Sequence, residues 1–248
     1  MMRASVFGAA THRGNVRSNN EDNYLVLNSK DEQIVLAIIA DGMGGHLCGE
    51  EASELAVRYS SYIIDRKFNK SMSDAEILDV LDTAIETANI HVDVESKSFS
   101  EKKGMGTTLT IGLLHNNKIY IGHVGDSRIY LLRDDEFFQL TKDDTYVQSL
   151  VDKGEIAPEE AIDHPQNNIL MKSVGSGKPV KPQLLQYNLK NNDKLVFCTD
   201  GLYDAVPLVE IKNYLTNNED PQVCAEQLVE ETLRRGAPDN VSVITCYI

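Results

Sequence analysis

The chain has 248 residues, 42% of them hydrophobic and 25% charged, and a formal net charge of −14. That length suits one domain with a proper core, and the acidic balance argues against nucleic acid and anionic membrane, whose phosphates require a basic face. The longest apolar run, residues 34–40, falls far short of the roughly 20 residues of a membrane-spanning helix, so no membrane insertion is expected. The start of the chain, Met1 to Phe7, holds no signal-peptide core, which points to the cytoplasm.

In chain order, short apolar or β-branched runs predict strands at residues 23–27 and 34–40. Apolar side chains at three- and four-residue spacing then predict helices over 49–68 and 74–94, the second capped by Ser73 or Asp74. Further strands are predicted at 107–114, 118–124 and 128–133, with His115-Asn116-Asn117-Lys118 as a hairpin turn. The polar stretch 143–168, with Lys153-Gly154 and Ala157-Pro158, reads as a short-helix insertion able to cover a site. Strands at 194–199 and 241–247 bracket helices at 210–215 and 221–235, the latter opened by Pro221. No repeat or linker divides the chain, so a single domain over residues 1–248 is expected. The element pattern predicts an α+β layered fold of antiparallel sheets covered by helices. Cys48, Cys198, Cys224 and Cys246 form no CxxC pair and read as free thiols.

The informative pattern is acidic residues at strand ends. The run 34–40 leads into Asp41-Gly42, the run 119–124 into Gly125-Asp126, and the run 195–199 into Asp200-Gly201. Asp239-Asn240 precedes the last strand, and Glu21-Asp22 precedes the first. One Asp-Gly after a strand is ordinarily a turn. Repetition changes the reading, because a sheet gathers its strand ends at one rim and clustered carboxylates repel unless they share a cation. Hard divalent ions such as Mg²⁺ and Mn²⁺ take oxygen ligands and keep several waters. The glycines after Asp41 and Asp200 are expected to let the backbone turn sharply.

The segments Arg17-Ser18-Asn19-Asn20-Glu21-Asp22, Asp41-Gly42-Met43-Gly44-Gly45-His46, Gly104-Met105-Gly106-Thr107-Thr108, Gly125-Asp126-Ser127-Arg128, His164-Pro165-Gln166-Asn167-Asn168, Thr199-Asp200-Gly201-Leu202 and Asp239-Asn240-Val241-Ser242 resemble, in order, the motifs of type 2C (PPM) metal-dependent Ser/Thr protein phosphatases, above all the bacterial branch. The resemblance implies a four-layer αββα sandwich, two antiparallel sheets flanked by helices, with a flap insertion at about 143–168. It also implies hydrolysis of phosphoserine and phosphothreonine in proteins by a water bridging two metals. In that likeness Asp41 bridges two Mn²⁺ or Mg²⁺ ions and the Gly42 carbonyl binds the first. Asp200 and Asp239 hold the second, and Glu21 and Asp22 act largely through waters. Asp126 with Asp200 forms a weaker third site, and Arg17 holds substrate phosphate through its guanidinium fork. Such a mechanism clamps and aims the water and needs no phosphoenzyme. The implied partners are phosphorylated proteins, a Ser/Thr kinase and its targets, and a monomeric state is expected.

Two departures stand out. Met43 occupies the place where eukaryotic relatives carry a histidine proposed as general acid, which leaves a metal-bound water ahead of His46 for that role. Asp143-Asp144-Thr145 stands where relatives often read Asp-His-Ser. Asn240 is expected to orient Asp239 or satisfy backbone groups, Tyr59 and Tyr62 to pack in the core, and His12, His91, His115 and His123 to have surface or packing roles. A pseudophosphatase would be expected to have lost ligands, yet Asp41, Asp200 and Asp239 are all present. A hydrolase of small phosphoesters stays open as an alternative. A phosphatase of a sigma-factor pathway fits less well, given the complete Arg17 to Asp22 motif.

Overall fold

In a computed structural model, residues 6–29, 34–44, 48–162 and 164–248 are described. The strands are β1 (Val6–His12), β2 (Asp22–Ser29), β3 (Ile34–Met43), β4 (Gly106–Thr107), β5 (Leu109–His115), β6 (Lys118–Val124), β7 (Arg128–Arg133), β8 (Glu136–Gln139), β9 (Gln183–Asn188), β10 (Lys194–Cys198) and β11 (Val241–Tyr247). The helices are α1 (Cys48–Lys67), α2 (Asp74–Ser98), α3 (Tyr146–Asp152), α4 (Pro158–Ile162), α5 (Asp200–Tyr203), α6 (Leu208–Asn217) and α7 (Pro221–Arg234). One antiparallel sheet runs β1-β11-β10-β7-β8 and the other β2-β3-β5-β6-β9, with β4 paired to β3.

Strand periodicity explains the layering. In β3, Leu36, Ile38 and Ala40 face α1 and α2, while Val35, Ala37 and Ile39 face the opposite sheet. In β10, Leu195 and Phe197 face the first sheet's partner, while Val196 and Cys198 face α5, α6 and α7. Strands buried on both faces read as continuous apolar runs rather than alternation. Three apolar cores therefore separate four layers, helix, sheet, sheet, helix, as the resemblance implied. Gly112 matters here: a Cβ would lie 2.5 Å from the Phe197 ring, so its absence lets the two sheets interlock.

Most expected elements are present, and Ser73 caps α2 in a full capping box with Glu76. The Asn116-Asn117 hairpin has both residues at positive φ, 49° and 60°, the twist a two-residue loop favours. Several expectations need correction. Strands β1, β8 and β9 were not foreseen, because all three are sheet-edge strands with small, polar or half-exposed residues. The expected strand 107–114 divides into β4 and β5. Tyr59 does pack, stacked on His91 at 3.6 Å, but Tyr62 is exposed. The cysteines are free, with Cys198, Cys224 and Cys246 buried. The segment 143–168 contains α3 and α4, and no described helix is long and apolar enough to cross a membrane.

Candidate metal centre

Asp41 is not at the end of its strand: β3 continues through Met43, and Asp41 is paired directly across from Asp22 on β2. Like charges placed directly opposite in a sheet repel. The backbone around Asp41 is nonetheless fully engaged. Its N–H donates to Thr108 Oγ1 at 2.8 Å, and its carbonyl accepts from Thr108 N at 2.9 Å and Thr107 Oγ1 at 2.8 Å. Thr108 in turn meets Ser127 Oγ at 2.8 Å, which ties the Asp41 strand to the residue after Asp126.

The two glycines serve a different purpose from the expected one. A Cβ on Gly42 would lie 2.0 Å from the Gly49 carbonyl, and one on Gly201 would lie 1.9 Å from the Asn240 carbonyl. Neither glycine has a positive φ; both let chain segments approach closely, which draws the acids together. Asp200 opens the short helix α5 rather than ending a strand in a turn.

The loop that carries Arg17 is fixed by Asn240. The Asn240 amide donates to the Arg13 and Asn19 carbonyls, both at 2.8 Å, and its Oδ1 accepts from Glu21 N at 2.8 Å. Of the two roles expected of it, orienting Asp239 or satisfying backbone, these bonds perform the second. Arg17 then donates to Asp239 Oδ2 at 2.7 Å. Both partners are partly exposed, so the pair adds little stability; its effect is to hold the guanidinium beside the acids. Glu21 sits at the start of α1, where a Cβ on Gly49 would be 2.3 Å from its Oε2.

The electrostatics unite the set. Burial, then the charges of Asp200, Asp22, Asp126 and Asp239, holds the Asp41 carboxyl well above the ordinary carboxylate range. Burial and neighbouring acids likewise raise Asp22, Asp126 and Asp200. Thr199 partly offsets this at Asp22, donating to Oδ2 at 2.9 Å while accepting from Ser242 N at 3.0 Å. Among the described residues, Asp22 Oδ1 and Asp200 Oδ1 are buried with no hydrogen-bond partner. Unpartnered buried carboxylate oxygens, facing other carboxylates, are the surroundings a divalent cation satisfies. Among the described residues, no group of three or more His, Cys, Asp or Glu side chains is drawn close enough to hold a metal ion by itself. Mg²⁺ ordinarily keeps several waters in its shell.

All the predicted acids and Arg17 therefore meet at one rim, while His46 lies outside the described residues. His123 is buried and bonded to Thr110 at 2.8 Å, and His115 bonds the Lys70 carbonyl at 3.1 Å, so both are packing residues. Thr108 and Thr199 stand in two of the motif segments without an assigned role, and Tyr203 and Asp204 carry no signal in the sequence. Tyr203 donates to the Asp126 carbonyl at 3.0 Å, and Asp204 is raised by burial and lies within reach of Asp239 and Asp143. Asp204 stands four residues after Asp200, a same-face spacing visible only once α5 is seen as a helix.

Comparison with known proteins matches the chain to the family model "Protein phosphatase 2C" over residues 10–241. It is 40% identical over 244 residues to the serine/threonine protein phosphatase PstP of Mycobacterium tuberculosis, covering 98% of this chain but 45% of that relative, so it spans about half the relative's length. It is 36% identical over 234 residues to the serine/threonine phosphatase stp of Listeria innocua, covering 94% of this chain and 92% of the relative. Its structure resembles that of the catalytic domain of a serine/threonine protein phosphatase PstP in complex with two manganese ions, with TM-score 0.84 and 37% identity, covering 98% of this chain and 97% of that one.

Proposed function

The chain belongs to the protein phosphatase 2C family, and from that premise we propose that it hydrolyses phosphoserine and phosphothreonine esters of proteins, opposing a Ser/Thr kinase. The observation that carries this reading is the convergence of Asp22, Asp41, Asp126, Asp200 and Asp239 on one rim, two of their buried oxygens unpartnered, beside Arg17.

Asp41, Asp200, Asp239 and the Gly42 carbonyl would hold two divalent ions, Mn²⁺ or Mg²⁺. Glu21 and Asp22 would act through waters, and Asp126 with Asp200 would hold a weaker third ion. When bound, the cations would activate water and neutralise charge on the phosphoryl oxygens. The protein's own contribution is placement. Thr108 and Thr199 fix Asp41 and Asp22 before substrate arrives, so little reorganisation is needed at the moment of reaction. Arg17, held at the rim by Asp239, would take phosphate oxygens with its guanidinium fork and orient phosphorus toward the acids. One catalytic domain, monomeric and cytoplasmic, with residues 143–168 as a flap, completes the reading.

The test is release of phosphate from an aryl phosphate and from a phosphothreonine peptide, with and without Mn²⁺. Turnover of both that requires the cation, and a KM raised by Arg17→Ala, is expected. Metal-independent turnover would sink the reading, and an unchanged KM and kcat in Arg17→Ala would remove that residue from the phosphate site.

A further inference from the structure

The insertion that carries α3 and α4 is rooted at a narrow neck. Tyr146 N donates to the Ile169 carbonyl and Met171 N to the Asp144 carbonyl, both at 2.7 Å, and Thr145 and Leu170 form an antiparallel bridge between them. The neck rests on the turn that carries Asp126. Asp144 brackets Gly125 from both sides: its N–H donates to the Gly125 carbonyl at 2.7 Å, and its Oδ2 accepts from Gly125 N at 3.3 Å. Gly125 has φ +108°, and a Cβ there would lie 2.6 Å from Thr108 Cγ2, so this turn has little freedom to adjust by itself.

Asp144 is also the charge at the junction. Its side chain is 8% exposed, and Lys172 Nζ reaches its Oδ1 at 2.6 Å from the other root of the neck. A carboxylate so placed needs a countercharge, and its neighbour Asp143 is already taken by Arg128, through Nε at 3.0 Å and Nη2 at 2.6 Å. Arg128 lies 3.5 Å over the ring of Tyr203, whose hydroxyl donates to the Asp126 carbonyl. The chain of contacts therefore runs from Lys172 through Asp144 to Gly125 and Asp126, and returns through Tyr203, Arg128 and Asp143.

Resting on the phosphatase reading above, we propose that Asp144 and Lys172 are positioning residues whose ion pair locks both roots of the α3–α4 insertion onto the Gly125–Asp126 turn, so that insertion and turn move as one body. Neither residue touches substrate. Lys172 neutralises Asp144, Asp144 orients the peptide groups on either side of Gly125, and these set the direction of Asp126.

The experiment compares wild type with Lys172→Met, Lys172→Arg, Asp144→Asn and the double variant Asp144→Asn/Lys172→Met. Each is assayed with an aryl phosphate in saturating Mn²⁺ and followed by backbone hydrogen exchange. Lys172→Met is expected to lower kcat about 10-fold, the lower end for loss of an outer-shell partner, with KM for the aryl phosphate unchanged. Lys172→Arg is expected to restore kcat, and the double variant to lose no more than the worse single one. In Lys172→Met, amides at 125–126, 144–146 and 169–171 are expected to exchange faster together. Wild-type kcat in Lys172→Met, Lys172→Arg as impaired as Lys172→Met, additive losses, or faster exchange in the insertion alone would each overturn the proposal. Inactive wild type would instead count against the phosphatase reading, and the exchange pattern would still decide whether the pair is a lock.

Discussion

Strand β3 passes from one environment to another within three residues. Ile39 and Ala40 are fully buried among apolar side chains, whereas Asp41, next along the strand, faces Asp22, Asp126, Asp200 and Asp239. The space between the sheets is filled by groups that gain by leaving water, and Phe197 reaches across to occupy the gap left by Gly112. At the rim the same strands bring together charges that repel and lose hydration. The difference teaches that the sandwich interior stabilises an arrangement its acidic end opposes, and the proposed cation site lies where that opposition is greatest.

Substitutions at the two regions should therefore have opposite signatures. In the interior, Phe197→Ala should cost about 3–5 kcal/mol of stability, from lost burial plus a cavity, read as a lower denaturation midpoint with KM little changed in the protein that remains folded. At the rim, Asp41→Asn should lower kcat by at least about 100-fold, more than outer-shell losses usually do, yet raise the melting temperature of the metal-free protein because an amide neither repels the other acids nor has to bind a proton. If Asp41→Asn instead destabilised the metal-free protein, the opposition between interior and rim would fail. Thr199→Val lies between the two: it removes the donor to Asp22 and the acceptor for Ser242 N, and should cost about 1–3 kcal/mol together with a loss of kcat. The smallest effect is expected at the outer face of α2, where Lys97→Ala removes the i,i+4 contact to Asp93 and should change stability by about 0.5 kcal/mol or less.

The same contrast explains what could be read from the sequence. Buried strands such as β5, β6 and β10 were legible because burial on both faces leaves a largely apolar run rather than a strict alternation. Edge strand β8 was not, since it is bounded by Asp134-Asp135 in left-handed conformation and its residues are mostly exposed. At the rim, Asp41, Asp200 and Asp239 stood out because acids directly flanking apolar runs in the sequence serve no packing purpose. Thr108 and Thr199 were not, since a buried threonine in a β-run is indistinguishable from an ordinary strand residue until its hydroxyl is seen to bond an acid or its backbone. The glycines were placed correctly and explained wrongly, because close approach between segments far apart in sequence leaves no local signal.

The central claim is that the rim is a cation site held together against its own charge. Its carboxyls bind protons at higher pH when folded than the ordinary value of about 3.9 when unfolded. The folded state is then the better proton binder, so the metal-free protein should lose stability as pH rises through the folded values and regain it as pH falls toward the ordinary carboxylate range. The most direct measurement is the melting temperature with and without Mn²⁺ at about pH 6 and about pH 8, for wild type and Asp41→Asn, since a ligand that binds only the folded state raises it. The account predicts that Mn²⁺ raises the wild-type value, more at the higher pH, and that the rise is largely lost in Asp41→Asn. No rise in wild type, or an equal rise in the variant, would contradict it.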